Sequence, residues 1–354
     1  MPLREDCVMT KIEDALEVAK ESESVAELRE AHKRVLRQLE KAKRSQDELV
    51  EAVYNAARDA AAGMRVPPVP APKIDKRKKD AEVAVLLLAD WQVGKVTPTY
   101  NSEVAADRVK KLAEKVEKLV AIQREDHPVR EAYVFLLGDF VEGDGNIFPG
   151  QSYLVDSSLY SQIFSTAEML AGLIRKLAAN FEKVHVVGVI GNHGRIGRYG
   201  ESAPESNADA IAYRTAAMLV RDEKRITWKE TYTKGERHWH EYVEVLGRKW
   251  LLFHGDQLKG GSFGFPWYSL AKRLGGWSLA LDGGKPDYAA FGHWHTPVRV
   301  VAADGRITAF GAGSIESSNT YAQEWVAASG EPAQWLIFQA ASGLSAEYLV
   351  RLES

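Results

Sequence analysis

The chain has 354 residues, 45% hydrophobic and 27% charged, with 28 Gly and 13 Pro. This near-average make-up excludes a collagenous, disordered or membrane-embedded chain and leaves room for one large domain or two ordinary ones. Its 46 Lys and Arg against 49 Asp and Glu give a net charge of -3, which excludes capture of nucleic acid by a bulk basic field, so any polyanion contact must be local. The single cysteine, Cys7, excludes an intramolecular disulfide scaffold and a multi-cysteine metal site. With no apolar stretch resembling a signal peptide at the start, this predicts a reducing, cytoplasmic location.

Residues 1–62 hold no Gly and one Pro, and Val25, Leu28, Val35, Leu39, Leu49 and Val53 fall at heptad spacing. That pattern predicts an N-terminal helical, coiled-coil-like segment, able to form a homo-oligomer or equally to rest on its own domain. Residues 63–80 carry four prolines and six basic residues against two acidic ones, which predicts an extended, mobile, basic linker.

From residue 81 to 354, short β-branched and Leu-rich runs alternate with helical stretches, the pattern of a layered α/β domain. Strands are predicted at 83–89, 132–137, 184–190, 249–253 and 288–291, with helices near 104–125, 161–179 and 205–221. The runs 298–302 with 307–310, and 334–339 with 347–351, predict antiparallel pairs. The longest apolar run, Val83–Ala89, is far short of a bilayer span, so no membrane partner is expected.

Each of the five strand runs ends in residues able to hold a metal: Asp90 with Gln92, Asp139 in GDFVEG, Asn192 and His193 in GNHG, His254 before Gly255, and His293 with His295 in GHWH. Loops beyond the carboxyl ends of strands in such sheets converge on one rim, so these distant residues can meet. A set of carboxylates, an amide and imidazoles suits Mn, Fe or Zn better than an all-oxygen Mg or Ca cage.

In these ordered blocks the sequence resembles the calcineurin-like metallophosphoesterase superfamily. The resemblance implies an αββα sandwich over residues 81–354 and two divalent metal ions, Mn first with Fe or Zn as alternatives. One ion would be held by Asp90, Asp139 and His295, with Gln92 standing where the family usually has His. The other would be held by Asp139, Asn192, His254 and His293, with Asp139 bridging. His193 matches the family histidine that contacts phosphate and protonates the leaving oxygen. Gly194 stands where many members have an acidic residue orienting that histidine, a role open here to Asp256 or Glu142.

The stretch Gly143–Gln151, GDGNIFPGQ, is similar to the segment after the same block in the exonuclease subunit of archaeal D-family DNA polymerases. It implies the nuclease branch, which also holds the double-strand-break nucleases. The expected activity is therefore phosphodiester hydrolysis on DNA or RNA. The alternatives are a small-nucleotide phosphodiesterase or phosphatase, and a non-catalytic scaffold with a decayed metal site. Arg195 and Arg198 are candidate phosphate contacts. The aromatic stretch Gly260–Tyr268 is read either as a base-stacking lip or as core, and His238 and His240 as structural or rim residues.

Overall fold

Runs that are apolar on both faces need a layer on either side, and this chain supplies both. The computed structural model describes residues 68–77, 79–145, 147–197, 206–229, 239–260, 264–302, 305–320 and 331–353, with isolated positions 48, 51, 52 and 55. The chain divides into two compact units, Met1–Val53 and Tyr54–Ser354, and the second carries every element below. The heptad pattern of 1–62 lies almost wholly outside the described residues, as do Arg198, His238 and Phe263.

Eleven strands form two sheets among the described residues. The first has the order β11(Gly343–Arg351), β10(Ala333–Ala340), β1(Glu82–Leu88), β2(Val129–Leu136), β3(Lys183–Gly188), β4(Ile226–Lys229). Strands β1 to β4 run parallel, while β10 is antiparallel to both β1 and β11. The second sheet has the order β5(His240–Val245), β6(Arg248–Phe253), β7(Tyr288–Phe291), β9(Ile307–Ala312), β8(Pro297–Ala302). Four helices cover the faces: α1(Ser102–Asp126), α2(Leu159–Asn180), α3(Ala208–Val220) and α4(Trp267–Ala280).

The alternation of side chains along each strand builds the layers. Ala84, Leu86 and Leu88 of β1 pack with Leu112 and Val116 of α1 and with Leu170 and Ile174 of α2. Val83, Val85 and Leu87 point the other way, into an inter-sheet core with Phe135, Trp250, Leu252, Phe310 and Ile337. Leu251 and Phe253 of β6 then face Leu270, Leu274 and Trp277 of α4. The result is the layered αββα sandwich expected from the sequence. α1 begins where Asn101 accepts a hydrogen bond from the Val104 N–H, and α2 where Ser158 accepts from that of Ser161, each satisfying a donor with no partner inside the helix.

Residues 68–77, part of the segment read as a mobile linker, are without regular structure but tethered. Their carbonyls have no ladder partner, and arginines take them. Arg225 Nη2 donates to the carbonyls of Val69 and Pro70 at 3.3 and 3.2 Å, and Arg130 Nε to that of Asp75 at 2.6 Å. Arg77 Nη2 reaches back 2.6 Å to the carbonyl of Arg124 in the last turn of α1.

Two strands and a helix were not anticipated. β4 and β5 lie at sheet edges, and α4 starts inside the aromatic stretch. Phe265 of that stretch is buried in the core, whereas Trp267 and Tyr268 are 46% and 78% exposed. His240 opens β5, where it pairs with Phe253 at the carboxyl end of β6.

Candidate metal centre

The loops after β1, β2, β3, β6 and β7 meet at one rim and carry the residues singled out in the sequence. Asp90, Gln92, Asp139, His293 and His295 all adopt left-handed backbone, with φ between 43° and 71°. Such conformations are uncommon outside glycine and cluster where the surrounding structure enforces them. Gly138, with φ 88°, lets the chain turn just before Asp139. A Cβ on it would lie 2.5 Å from the Gly191 nitrogen and 2.6 Å from His254 Nδ1, so only glycine allows these loops to touch.

His254, fully buried, directs Nδ1 at the Leu137 carbonyl, 2.7 Å away. That carbonyl can only accept, so Nδ1 carries hydrogen, and in the neutral ring Nε2 carries a lone pair. Nε2 faces Asn192 Oδ1 at 3.1 Å and Asp139 Oδ2 at 3.0 Å. The latter approach lacks hydrogen-bond alignment, and Asp139 Oδ2 and His293 Nδ1 are buried with no hydrogen-bond partner. Asp139, His254 and His293 offer ligand atoms within 4.8 Å of one another. Lone pairs converging in a buried pocket call for a positive charge at their centre, and the residues fit a divalent cation.

Protonation responds to the same field. Burial disfavours a charged His254, yet in the absence of a bound cation Asp139 and Asp90 outweigh it and push the imidazole up to about 10, so a proton on Nε2 and a metal ion compete for the same place. Burial likewise opposes ionisation of Asp139, but His254 and His193 hold it well below the usual carboxylate range. His293 is depressed to about 3 by burial and by the neighbouring His254 charge.

The other half of the rim is different. Asp90 accepts the His293 N–H on both oxygens, at 3.0 and 2.8 Å, and its Oδ1 lies 3.5 Å from His295 Nε2. His295 Nδ1 faces Glu316 Oε1 at 3.0 Å. Gln92 Oε1 does not face into the rim. It accepts from Lys95 Nζ at 2.7 Å, and Lys95 also pairs with Glu316 Oε2 at 2.7 Å. An amide nitrogen bears hydrogens and no available lone pair, so Gln92 as oriented does not fit the metal-ligand role expected of it.

His193 stands beside the pocket. Its N–H donates to Asp139 Oδ1 at 2.7 Å, and its Nδ1 lies 3.2 Å from Glu142 Oε2. The orienting carboxylate is therefore Glu142, while Asp256 bonds Gln257. No side chain fits at Gly194, where a Cβ would meet Asn207 Oδ1 at 2.5 Å. Burial opposes a charged His193, but Glu142 and Asp139 raise it to about 9. Arg195 forms a backbone bridge with Asn207 close by.

Sequence reasoning missed three buried residues: Lys95, Glu316 and Asp209. Asp209, at the start of α3, accepts four backbone N–H groups, from Asp139 and Gly191 on Oδ2 and from Phe140 and Val141 on Oδ1, at 2.9–3.2 Å. It staples the loops after β2 and β3 together. Burial and the Asp139 charge raise its pKa to about 6, while the N–H groups that donate to it favour its ionised form. Asp209→Ala would strand four buried donors, and a stability loss of about 3 kcal/mol or more is expected. Urea unfolding reads this as a lower midpoint at unchanged slope; an unmoved midpoint would show that the staple contributes little.

No protein-family model and no curated protein sequence matches the chain at a significant level. Solved structures do resemble it. A predicted phosphoesterase of Streptococcus pneumoniae is 13% identical, covering 76% of this chain and 98% of that one, with a TM-score of 0.29. A hypothetical protein of Pyrococcus horikoshii is 11% identical, covering 77% and 89%, with a TM-score of 0.38. Vps29 of Entamoeba histolytica complexed with zinc is 13% identical, covering 76% and 99%, with a TM-score of 0.32. Likeness at this level assigns no activity to the chain. Among the described residues no helix is long and apolar enough to cross a membrane.

Proposed function

We propose that the protein is a metal-dependent phosphoesterase that cleaves phosphodiester bonds, with nucleic acid as its leading substrate. The observation that carries this is the buried convergence of Asp139 Oδ2, His254 Nε2 and Asn192 Oδ1, with His293 alongside. A divalent ion held by these four residues, manganese first and iron or zinc as alternatives, would supply Lewis-acid polarisation of a phosphoryl oxygen and activation of water. His193, kept protonated at neutral pH by Glu142, donates a proton to the leaving oxygen. Asp209 and the Leu137 carbonyl fix Asp139 and His254 in place.

The nucleic-acid assignment is supported by the segment that follows the second block. Gln151 Nε2 is hydrogen-bonded to Glu142, and the Phe148 ring lies 6.5 Å from His193, so the stretch similar to polymerase exonuclease subunits forms the wall beside the proton donor. Tyr153, just beyond it, is 90% exposed and offers a face on which a base can stack.

The test is hydrolysis by metal-stripped protein of bis-p-nitrophenyl phosphate and, in parallel, p-nitrophenyl phosphate, after adding manganese, zinc or magnesium, with Asp139→Ala as blank. Manganese-dependent diester cleavage absent from the blank is expected, followed by cleavage of oligonucleotides in preference to cyclic nucleotides. Exclusive monoester cleavage would make the protein a phosphatase. Silence with every metal would favour a non-catalytic scaffold.

A further inference from the structure

The rim is chemically asymmetric. On the His254 side, lone pairs converge on a point that a cation fits. On the Asp90 side, a positive charge is already built into the protein. Lys95 is 4% exposed, and its ammonium is clasped by Gln92 Oε1 and Glu316 Oε2, both at 2.7 Å. An ammonium has only donors, so the Gln92 atom it touches must be the oxygen, and the Gln92 NH₂ must point into the rim. There it lies 3.2 Å from His295 Nε2 and 3.4 Å from His193 Nε2. A second divalent ion between Asp90, Asp139 and His295 would meet N–H hydrogens from Gln92, with a permanent cation directly behind them.

Resting on the metal-centre reading above, we infer that the site holds one divalent ion rather than two, and that the Gln92 amide, oriented and polarised by Lys95, serves as a phosphoryl-oxygen donor where a second ion would otherwise stand. Lys95 is the positioning residue. Its charge draws electron density toward Oε1 and leaves the NH₂ hydrogens more positive, which strengthens a bond to an anionic oxygen. Glu316 ties the arrangement together, since one carboxylate holds both Lys95 and His295 Nδ1.

The experiment is manganese stoichiometry on the stripped and reloaded full chain, by elemental analysis after dialysis and by electron paramagnetic resonance. One ion per chain with an uncoupled manganese spectrum is expected. Two ions with an exchange-coupled spectrum would overturn the inference while leaving the metal-centre reading intact, and no bound ion would sink both. The double variant Gln92→His with Lys95→Met introduces an imidazole and removes the ammonium, and it should take up a second ion. If it still binds one while its circular dichroism matches wild type, these residues are not what excludes the second. Gln92→Ala should keep the single ion and weaken inorganic phosphate binding about tenfold. Unchanged phosphate affinity would overturn the donor role.

Discussion

His254→Ala is expected to abolish tight manganese binding and to lower phosphodiester turnover by about 10³ or more. The imidazole supplies one of the converging lone pairs, and no nearby group can replace it, because Asn192 and Asp139 already point at the same centre. Stabilisation of developing phosphoryl charge by a bound ion amounts to several kcal/mol, and about 4 kcal/mol corresponds to roughly 10³ in rate. Elemental analysis and steady-state kinetics on bis-p-nitrophenyl phosphate measure both effects. The substitution also leaves the Leu137 carbonyl without its donor, so thermal unfolding must confirm that the variant is folded. Turnover within tenfold of wild type in a folded variant would place the ion, or the chemistry, elsewhere.

The second large effect concerns His193. His193→Ala should retain the ion and lose about 10² to 10⁴ in kcat, the range for a positioned proton donor. Its pH profile gives a sharper test. The pKa of His193 is raised from 6.5 to about 9, so the protonated donor is present through neutral pH and disappears as pH climbs through about 9. Activity should therefore fall on the alkaline side near that value. Glu142→Gln removes the carboxylate that most favours the charged imidazole, and the alkaline limb should then move to lower pH. A limb that stays put in Glu142→Gln would mean that another group sets it.

Much of the architecture was legible because burial leaves a plain mark on composition. β1, β2, β3, β6 and β7 are runs apolar on both faces, and hydrophobic residues are what a strand between two layers requires. β4 and β5 escaped because edge strands are half polar: HEYVEV of β5 shows no unbroken apolar run. α4 contains Gly275 and Gly276 in its interior, residues that argue against a helix until packing of Leu270, Leu274 and Trp277 overrides them. The rim residues were legible for another reason, since each lies just beyond an apolar strand run, and in every block but that of Asp90 and Gln92 a glycine directly adjoins one of them. Lys95, Glu316 and Asp209 carry no such local mark. A buried charge is recognisable only once its partners, up to 221 positions away in the Lys95–Glu316 pair, are seen to surround it. The orientation of Gln92 belongs to the same class, as it follows from an ammonium that no motif includes.

The Asp209 staple bears on how a metal ion would enter the site. Four main-chain donors from two loops are gathered by a carboxylate belonging to the protein itself, so holding these loops together does not require a cation. The conformational entropy of ordering those loops is then already met when the ion enters. This sets the protein apart from small zinc domains, in which removal of the metal unfolds the chain. Here loading should add stability only by mass action, in proportion to the logarithm of free ion over its dissociation constant. A cell could strip and reload such a centre repeatedly, exchanging one divalent ion for another, while the scaffold stays folded throughout.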